Sequence, residues 1–464
     1  LFKAVKIADL CTRPHEARKK SIMEEQIGRD WARRLKSKLN ITSLNDMQSE
    51  SFAAVESGRD VLLFSPTGTG KTLAFLLPLM RLLDPNSQEI QLIILVPSRE
   101  LAQQIEQVAR ELGTGFKVNS VYGGRSGMQD RLDLKHRPAI LIGTPGRVAD
   151  RFRRDELNLD EVRYLALDEF DKSLEIGFER EMKQIVSSLP NVAQRILTSA
   201  TGTTSVPEFV GVIDPEVVDY SNERTEGLKV RAVEASTKDR LATLKTVLLG
   251  LQGKPGVIFC NFKNTLFEVS DFLSDEHIIH GAFYGGMEQL DRDRSLITFR
   301  NGTHQLLLAT DLAARGLDIP EIAFIIHFEI PIHLEEFTHR NGRTARMHRE
   351  GEAIVLQHKD QRLPQYYRDM KLDLETISEE ATVRVVKPKF ATLYISGGRR
   401  DKISKGDIAG LLFKQGELAK DEVGVIELQQ NCAYVGVARA RAYEVAERIT
   451  DTKLKKKKVR ISVL

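Results

Sequence analysis

Val61-Leu62-Leu63-Phe64-Ser65-Pro66-Thr67-Gly68-Thr69-Gly70-Lys71-Thr72 runs from four apolar residues through a loop with two glycines into a helix-like stretch, 73–82. Such an order delivers the chain from a strand to a turn whose backbone N–H groups, with those of the helix start, converge on phosphate oxygens. Lys71 adds a point charge there, and the Thr72 hydroxyl can coordinate magnesium. The common form of this loop opens with Gly; Ser65 stands in its place.

Outward from this loop, residues 43–220 alternate short apolar runs with amphipathic segments, the pattern of a parallel sheet wrapped by helices. Strands are expected at 61–64, 92–96, 139–142, 164–167 and 195–198. After Val96 a helix is capped by Ser98 and carries Leu101, Ile105, Val108 and Leu112 on one face. The alternation lapses over the polar stretch 219–236 and resumes with 256–260, 305–309 and 323–328. The first strand of this second lobe leads into Asn261-Phe262-Lys263-Asn264 instead of a glycine-rich loop, so the nucleotide is expected mainly on the first lobe. A final unit reads β, α, β, β, α, β at 392–396, 404–415, 424–428, 432–438, 442–450 and 458–463, a split βαβ sandwich. The expected organisation is an N-terminal extension (1–39), a first lobe (40–220), a linker (221–236), a second lobe (237–380) and a C-terminal domain (388–464).

With 464 residues, 41% of them hydrophobic and 29% charged, the chain is neither fibrous nor disordered and is long enough for several cores. Its apolar runs are far shorter than the roughly 20 residues that cross a bilayer, so no membrane partner is expected. Cys11, Cys260 and Cys432 are too few and too scattered for a disulfide framework or a zinc site, which points to the cytoplasm. From Pro388 onward 16 Lys and Arg face 9 Asp and Glu, whereas the remainder carries 52 against 56. The positive charge is gathered at one end, as an anionic partner requires.

A magnesium site beside a phosphate loop needs a carboxylate at the end of a neighbouring strand. Tyr164-Leu165-Ala166-Leu167-Asp168-Glu169 has this form, with Asp168 holding the metal through water and Glu169 orienting and deprotonating the attacking water. Further motifs follow in order: Gln48, Pro97-Ser98-Arg99-Glu100-Leu101-Ala102, Gly123-Gly124, Thr144-Pro145-Gly146-Arg147, Asp168-Glu169-Phe170-Asp171, Ser199-Ala200-Thr201 and Val257-Ile258-Phe259. Then come Gln289-Leu290-Asp291-Arg292, Ala309-Thr310-Asp311, Ala314-Arg315-Gly316-Leu317-Asp318 and His339-Arg340-Asn341-Gly342-Arg343-Thr344-Ala345-Arg346. Over residues 40–350 the chain resembles the DEAD-box RNA helicases.

The resemblance implies an α/β fold of two tandem RecA-like parallel-sheet lobes and an ATP-dependent, magnesium-dependent enzyme that acts on RNA. It implies catalytic roles for Lys71, Asp168, Glu169, Arg343 and Arg346, with Thr72 and Asp168 serving the metal. ATP would meet Gln48, Ser65, Thr67, Gly68, Thr69, Gly70, Lys71, Thr72 and Asp318, with Gln48 reading the adenine edge through its donor-and-acceptor amide. Asp171, Ser199, Thr201, His339 and Arg340 would couple the ATP and RNA sites. RNA phosphates and 2′-hydroxyls would meet Pro97, Arg99, Gly124, Thr144 and Arg147 in the first lobe, and Arg292, Thr310 and Arg315 in the second. Two departures stand out: Leu44-Asn45-Asp46-Met47 replaces a proline-bearing stretch before Gln48, and Phe170 replaces the family's Ala between the acids.

The final unit resembles an RRM, specifically the RNA-binding domain that directs DbpA-type DEAD-box proteins to large-subunit ribosomal RNA. That implies structured ribosomal RNA, in ribosome assembly intermediates, as partner. Tyr394 and Tyr434 fall on one sheet face and are either a platform for stacking bases or a cross-strand pair; Lys455, Lys456, Lys457 and Lys458 offer phosphate contacts. Two other functions remain open from the sequence: an ATP-gated RNA clamp without net unwinding, and a non-catalytic RNA-binding scaffold in which Phe170 has disabled the cleft. Intact Lys71, Glu169, Arg343 and Arg346 favour the enzyme.

Overall fold

The computed structural model describes residues 23, 27–124, 127–154, 157–200, 202, 205–221, 227–235, 240–251, 253–311, 322–345, 350–358, 360–377 and 386–464. In the first lobe the elements are α1 (Arg29–Arg34), α2 (Asp46–Glu56), β1 (Val61–Phe64), α3 (Lys71–Leu82), β2 (Leu92–Leu95), α4 (Arg99–Glu111), β3 (Val118–Val121) and α5 (Gly127–Leu134). They continue with β4 (Ile140–Gly143), α6 (Pro145–Arg154), β5 (Tyr164–Leu167), α7 (Phe170–Glu175), α8 (Glu179–Ser187), β6 (Gln194–Ser199) and β7 (Glu216–Asp219). The seven strands lie parallel in the order β3-β4-β2-β5-β6-β1-β7. Apolar clusters cover both faces, as a parallel sheet requires, one around Phe75 and Ile94 and the other around Ile93 and Phe170. Part of the expected N-terminal extension belongs to this lobe: Ala32 and Leu35 are buried in its core, with Trp31 and Leu39 packed against it.

The second lobe contains β8 (Leu228–Glu234), α9 (Arg240–Gly250), β9 (Gly256–Cys260), α10 (Lys263–Asp275), β10 (His280–Phe283), α11 (Gln289–Arg300), β11 (Leu306–Thr310), β12 (Phe324–His327), α12 (Leu334–Asn341), β13 (Gly351–Gln357), α13 (Gln365–Asp369) and β14 (Leu374–Glu375). Its parallel order, β10-β11-β9-β12-β13-β8-β14, reproduces the first sheet position by position. Residues 228–234, expected as linker, are therefore a sheet strand. Their charges misled the sequence reading: Arg231 bridges to Glu352 at 2.5 Å and Glu375 at 3.0 Å on the two flanking strands. It is β8, not β9, that occupies the place of β1.

The C-terminal domain runs β15 (Phe390–Ile395), α14 (Lys405–Lys414), β16 (Val423–Leu428), β17 (Ala433–Ala438), α15 (Ala442–Ile449), β18 (Lys453–Leu454), β19 (Lys457–Lys458) and β20 (Ile461–Val463). Its antiparallel order is β16-β17-β15-β20. The expected last strand, 458–463, is divided, since Lys457–Lys458 pairs with Lys453–Leu454 in a separate hairpin. Leu393, Ile395, Val435 and Val437 bury one sheet face with residues of α14 and α15. On the other face, Thr392 Oγ1 lies 2.6 Å from Thr303 Oγ1 and accepts from Asn301 Nδ2 at 3.2 Å, both in the turn after α11. Arg439 donates to the Thr303 carbonyl at 2.5 Å, and a Cβ on Gly436 would come within 3.3 Å of the Asn301 carbonyl, so the second lobe sits against this face.

Candidate active site and RNA-binding surfaces

The phosphate loop is closed on itself. Ser65 Oγ and Thr69 Oγ1 are 2.8 Å apart, Thr69 Oγ1 donates to the Pro66 carbonyl at 2.9 Å, and Lys71 Nζ donates to the carbonyls of Ser65 and Pro66. Gly68 and Gly70 take φ of 86° and 92°, values open to glycine at little cost. Gly70 is also the N-cap of α3, so Lys71 and Thr72 occupy the first helical turn, where dipole and free N–H groups favour an anion. Gln48 is tied to this loop. Its Oε1 accepts from the Asn45 N–H at 3.1 Å in a capping box, and its Nε2 donates to the Gly70 carbonyl at 3.3 Å. Each end of the amide thus has one partner within the protein, which leaves a second lone pair on Oε1 and a second N–H on Nε2 for an adenine edge.

Asp168 and Glu169 follow β5, and both are buried. Burial, reinforced by the adjacent Glu169 carboxylate, pushes the Asp168 carboxyl up to about 6; a hydrogen bond from the Thr198 hydroxyl and the charge of Lys71 oppose this. Glu169 has left-handed φ and ψ of 50° and 49°, and its N–H donates to Thr198 Oγ1 at 3.2 Å. Thr198 therefore braces both acids, a role sequence reasoning missed although it precedes Ser199-Ala200-Thr201 directly. Two buried oxygens, Glu169 Oε2 and Thr67 Oγ1, have no hydrogen-bond partner. Unsatisfied buried oxygens are uncommon and suit a site that receives polar ligands. The Thr72 hydroxyl at the start of α3 and the buried Asp168 carboxylate are oxygen donors of the kind magnesium takes, and among the described residues no group of three or more His, Cys, Asp or Glu is placed to hold a metal.

Phe170 does not intrude between the acids. Its ring is 1% exposed and packs with Leu95, Leu167 and Leu197. Asp171 keeps its place on α7: burial raises its pKa, while Lys172, 3.6 Å away, and a hydrogen bond with Ser199 oppose the rise. Thr201, Arg315, Asp318 and Arg346 lie outside the described residues.

In the second lobe Arg340 is a buried junction. It donates to both oxygens of Asp311 (2.6 and 2.5 Å), the Glu329 carbonyl (2.7 Å) and Asn261 Oδ1 (2.7 Å), joining the ends of β11, β12 and β9. Asn261 and Glu329 were missing from the expected set, and a polar residue directly after an apolar strand was the available signal. His339 and Arg343 are also buried, at 7% and 6% exposure.

The expected RNA residues of the first lobe gather at the carboxyl ends of β2, β3 and β4. Pro97 and Arg99 follow β2, Gly124 follows β3, and the Arg99 guanidinium lies over Gly123 and Gly124. Thr144 is buried directly after β4. Arg147 bridges to Asp130 at 2.7 Å and Asp150 at 3.5 Å, so RNA would share an already paired guanidinium. In the second lobe Thr310 ends β11, and Arg292 stacks over Phe283 at 4.2 Å.

The C-terminal domain resolves the tyrosine alternatives. Tyr394 and Tyr434 face each other across β15 and β17 with centroids 5.6 Å apart, and Tyr434 is 1% exposed. They form a cross-strand pair under the second lobe; Tyr434 offers no open stacking platform. Among the lysines, Lys455 pairs with Asp407 at 2.9 Å, Lys457 with Asp401 at 2.8 Å and Lys458 with Asp451 at 3.5 Å, whereas Lys456 is exposed at the hairpin turn.

Three family models match the chain: the DEAD/DEAH box helicase over residues 45–209, the helicase conserved C-terminal domain over 239–348 and the DbpA RNA binding domain over 392–463. The ATP-dependent RNA helicase DbpA of Escherichia coli (strain K12) is 31% identical, with 92% of this chain and 96% of that protein aligned. DbpA of Bacillus subtilis (strain 168) is 29% identical over 94% of this chain and 98% of that one. The structure of S. cerevisiae Dbp5 bound to RNA and ADP BeF3 shares the fold, with a TM-score of 0.66, 23% identity, and coverage of 76% of this chain and 95% of that one. The chain belongs to the DEAD-box ATP-dependent RNA helicases, in the branch that ends in a DbpA RNA-binding domain. It couples ATP hydrolysis to the remodelling of RNA. Among the described residues no helix is long and apolar enough to cross a membrane.

Proposed function

We propose that ATP is held and hydrolysed at the carboxyl edge of the first sheet, and that the RNA remodelled is structured ribosomal RNA. The observation that carries the site reading is the buried pair Asp168–Glu169 beside Lys71, with Glu169 Oε2 unpartnered. Lys71 leaves the Ser65 and Pro66 carbonyls for the phosphates, and the amides of Gly68, Thr69 and Gly70 with the Thr72 hydroxyl complete the cradle. Magnesium, held by Thr72 and by Asp168 through water, would neutralise charge on the phosphates. Glu169 orients the attacking water and accepts its proton. Arg343 and Arg346 stabilise the charge on the transferred phosphoryl, a contribution of about 10³ to 10⁵ in rate for such residues. Asp171, Ser199, Thr201, His339 and Arg340 relay occupancy between ATP and RNA, Asp318 meets the ribose, and Gln48 reads the adenine.

RNA runs over Pro97, Arg99, Gly124, Thr144 and Arg147 and over Arg292, Thr310 and Arg315. Two DbpA helicases among the relatives and the matched DbpA RNA binding domain support a ribosomal target, in assembly intermediates. The free thiols Cys260 and Cys432 suit a reducing cytoplasm. The test compares strand displacement by the full chain on a short duplex joined to a large-subunit ribosomal RNA fragment with the same duplex joined to an unrelated structured RNA. Preference for the ribosomal substrate is expected; equal rates on both would contradict the ribosomal assignment.

A further inference from the structure

Phe262 stands two residues beyond the end of β9 with its ring 62% exposed. It is also the N-cap of α10, where its side chain makes no capping hydrogen bond. Ser, Thr, Asp and Asn serve that position best, because their oxygens accept from the first free N–H groups of a helix. A phenylalanine here neither caps nor buries itself, so fold stability does not account for it.

Its neighbours hold it in place. Asn261 donates from its N–H to the Glu329 carboxylate at 2.7 Å and from Nδ2 to the Ile330 carbonyl at 3.0 Å, and it accepts from Arg340 at 2.7 Å. On the other side the Lys263 ammonium lies 4.8 Å from the Tyr284 ring centroid and 5.4 Å from that of Phe267. Those two rings meet edge to face at 5.1 Å. The loop sits on the sheet edge where Thr310 ends β11, directly beside Cys260 at the end of β9.

We propose that Phe262 is a base-stacking residue of the RNA site: its ring takes the face of one unpaired base, while Lys263, braced over Tyr284 and Phe267, meets a neighbouring phosphate. The inference rests on the reading of this edge as an RNA surface and adds a contact with a base to a grip otherwise made on phosphates and 2′-hydroxyls. Every base presents a π-face, so the contact tolerates any sequence but demands an unpaired nucleotide. Through Asn261 the ring is carried by Arg340, so it moves with the junction that also holds Asp311.

The test uses the full chain with magnesium and a non-hydrolysable ATP analogue, and a labelled single-stranded RNA in which one abasic nucleotide is moved along the strand. The native chain should lose about tenfold in affinity at one abasic position. Phe262→Ala should lose about the same on intact RNA, lose nothing further at that position, and keep its salt dependence, while Phe262→Trp restores binding. Lys263→Gln should instead flatten the slope of log affinity against log salt by about 0.7. Native-like binding by Phe262→Ala, or losses from variant and abasic site that multiply, overturns the inference alone. Failure of the native chain to bind RNA overturns the RNA reading of the edge and the inference with it.

Discussion

β1 and β8 occupy the same position in two seven-stranded parallel sheets of the same strand order, yet they deliver the chain to different chemistry. β1 opens into Ser65 to Thr72, with two glycines at positive φ and a lysine at the helix start. β8 leads to Ala235-Ser236-Thr237-Lys238-Asp239-Arg240, which has no glycine. The scaffold is therefore repeated while the site is not, because function resides in the residues that follow the strands. The acids are used differently as well: Asp168 and Glu169 follow β5, whereas Phe328 and Glu329 stand in the corresponding place after β12, with the Glu329 carboxylate accepting from the Asn261 N–H at 2.7 Å.

If the second lobe supplies only guanidinium groups to the reaction, Arg343→Ala should lower RNA-stimulated ATP hydrolysis about 10³- to 10⁵-fold, with ATP-analogue binding nearly retained. Steady-state phosphate release and nucleotide titration would check both. A second comparison separates scaffold from chemistry. Phe170→Ala and Phe324→Ala each remove a buried ring from the core of one lobe, the first at the start of α7 and the second at the start of β12, and each should destabilise by about 3–5 kcal/mol in denaturant unfolding. A much smaller loss for Phe170 would mean that its ring is not a core residue. At the face between the second lobe and the final domain, Thr392→Val leaves the Thr303 hydroxyl and Asn301 amide short of a partner, costing about 1–3 kcal/mol by thermal unfolding of the full chain.

The smallest effects are those of pH, where the two lobes have opposite signs. The Asp168 carboxyl, raised to about 6, binds its proton more readily folded than unfolded, so its contribution to stability is present at low pH and is lost as pH rises through 6. Its metal role needs the ionised form, so hydrolysis should fall as pH drops below about 6. Thr198→Val should move that acid limb to higher pH. His304 and His327, held by burial at about 4 and about 3, are protonated first in the unfolded chain, so their contribution to second-lobe stability declines as pH falls below the ordinary 6.5. Activity and unfolding measured across the same pH range would show whether the two trends separate.

The central strands were legible because continuous apolar runs such as Leu92–Leu95 and Gly256–Cys260 are buried on both faces. The strands missed at the sheet edges, β3, β7, β10 and β14, have only one neighbour each and carry Asn119, Glu216, His280 or Glu375. β8 and β13 were obscured by Arg231 and Glu352, whose charges are matched only once the strands lie together. In the site, the phosphate loop and Asp168–Glu169 were readable from local order. Thr198 and Asn261 were not, because each acts on a group distant in sequence. The tyrosine pair shows the limit of alternation: it placed Tyr394 and Tyr434 on one face without saying that α11 would cover it.

The most direct measurement is RNA-stimulated phosphate release by the native chain and by Glu169→Gln under saturating ATP, magnesium and RNA. The account predicts that RNA accelerates the native chain while the variant stays at the RNA-free background and still binds an ATP analogue. Equal rates for the two proteins would contradict it.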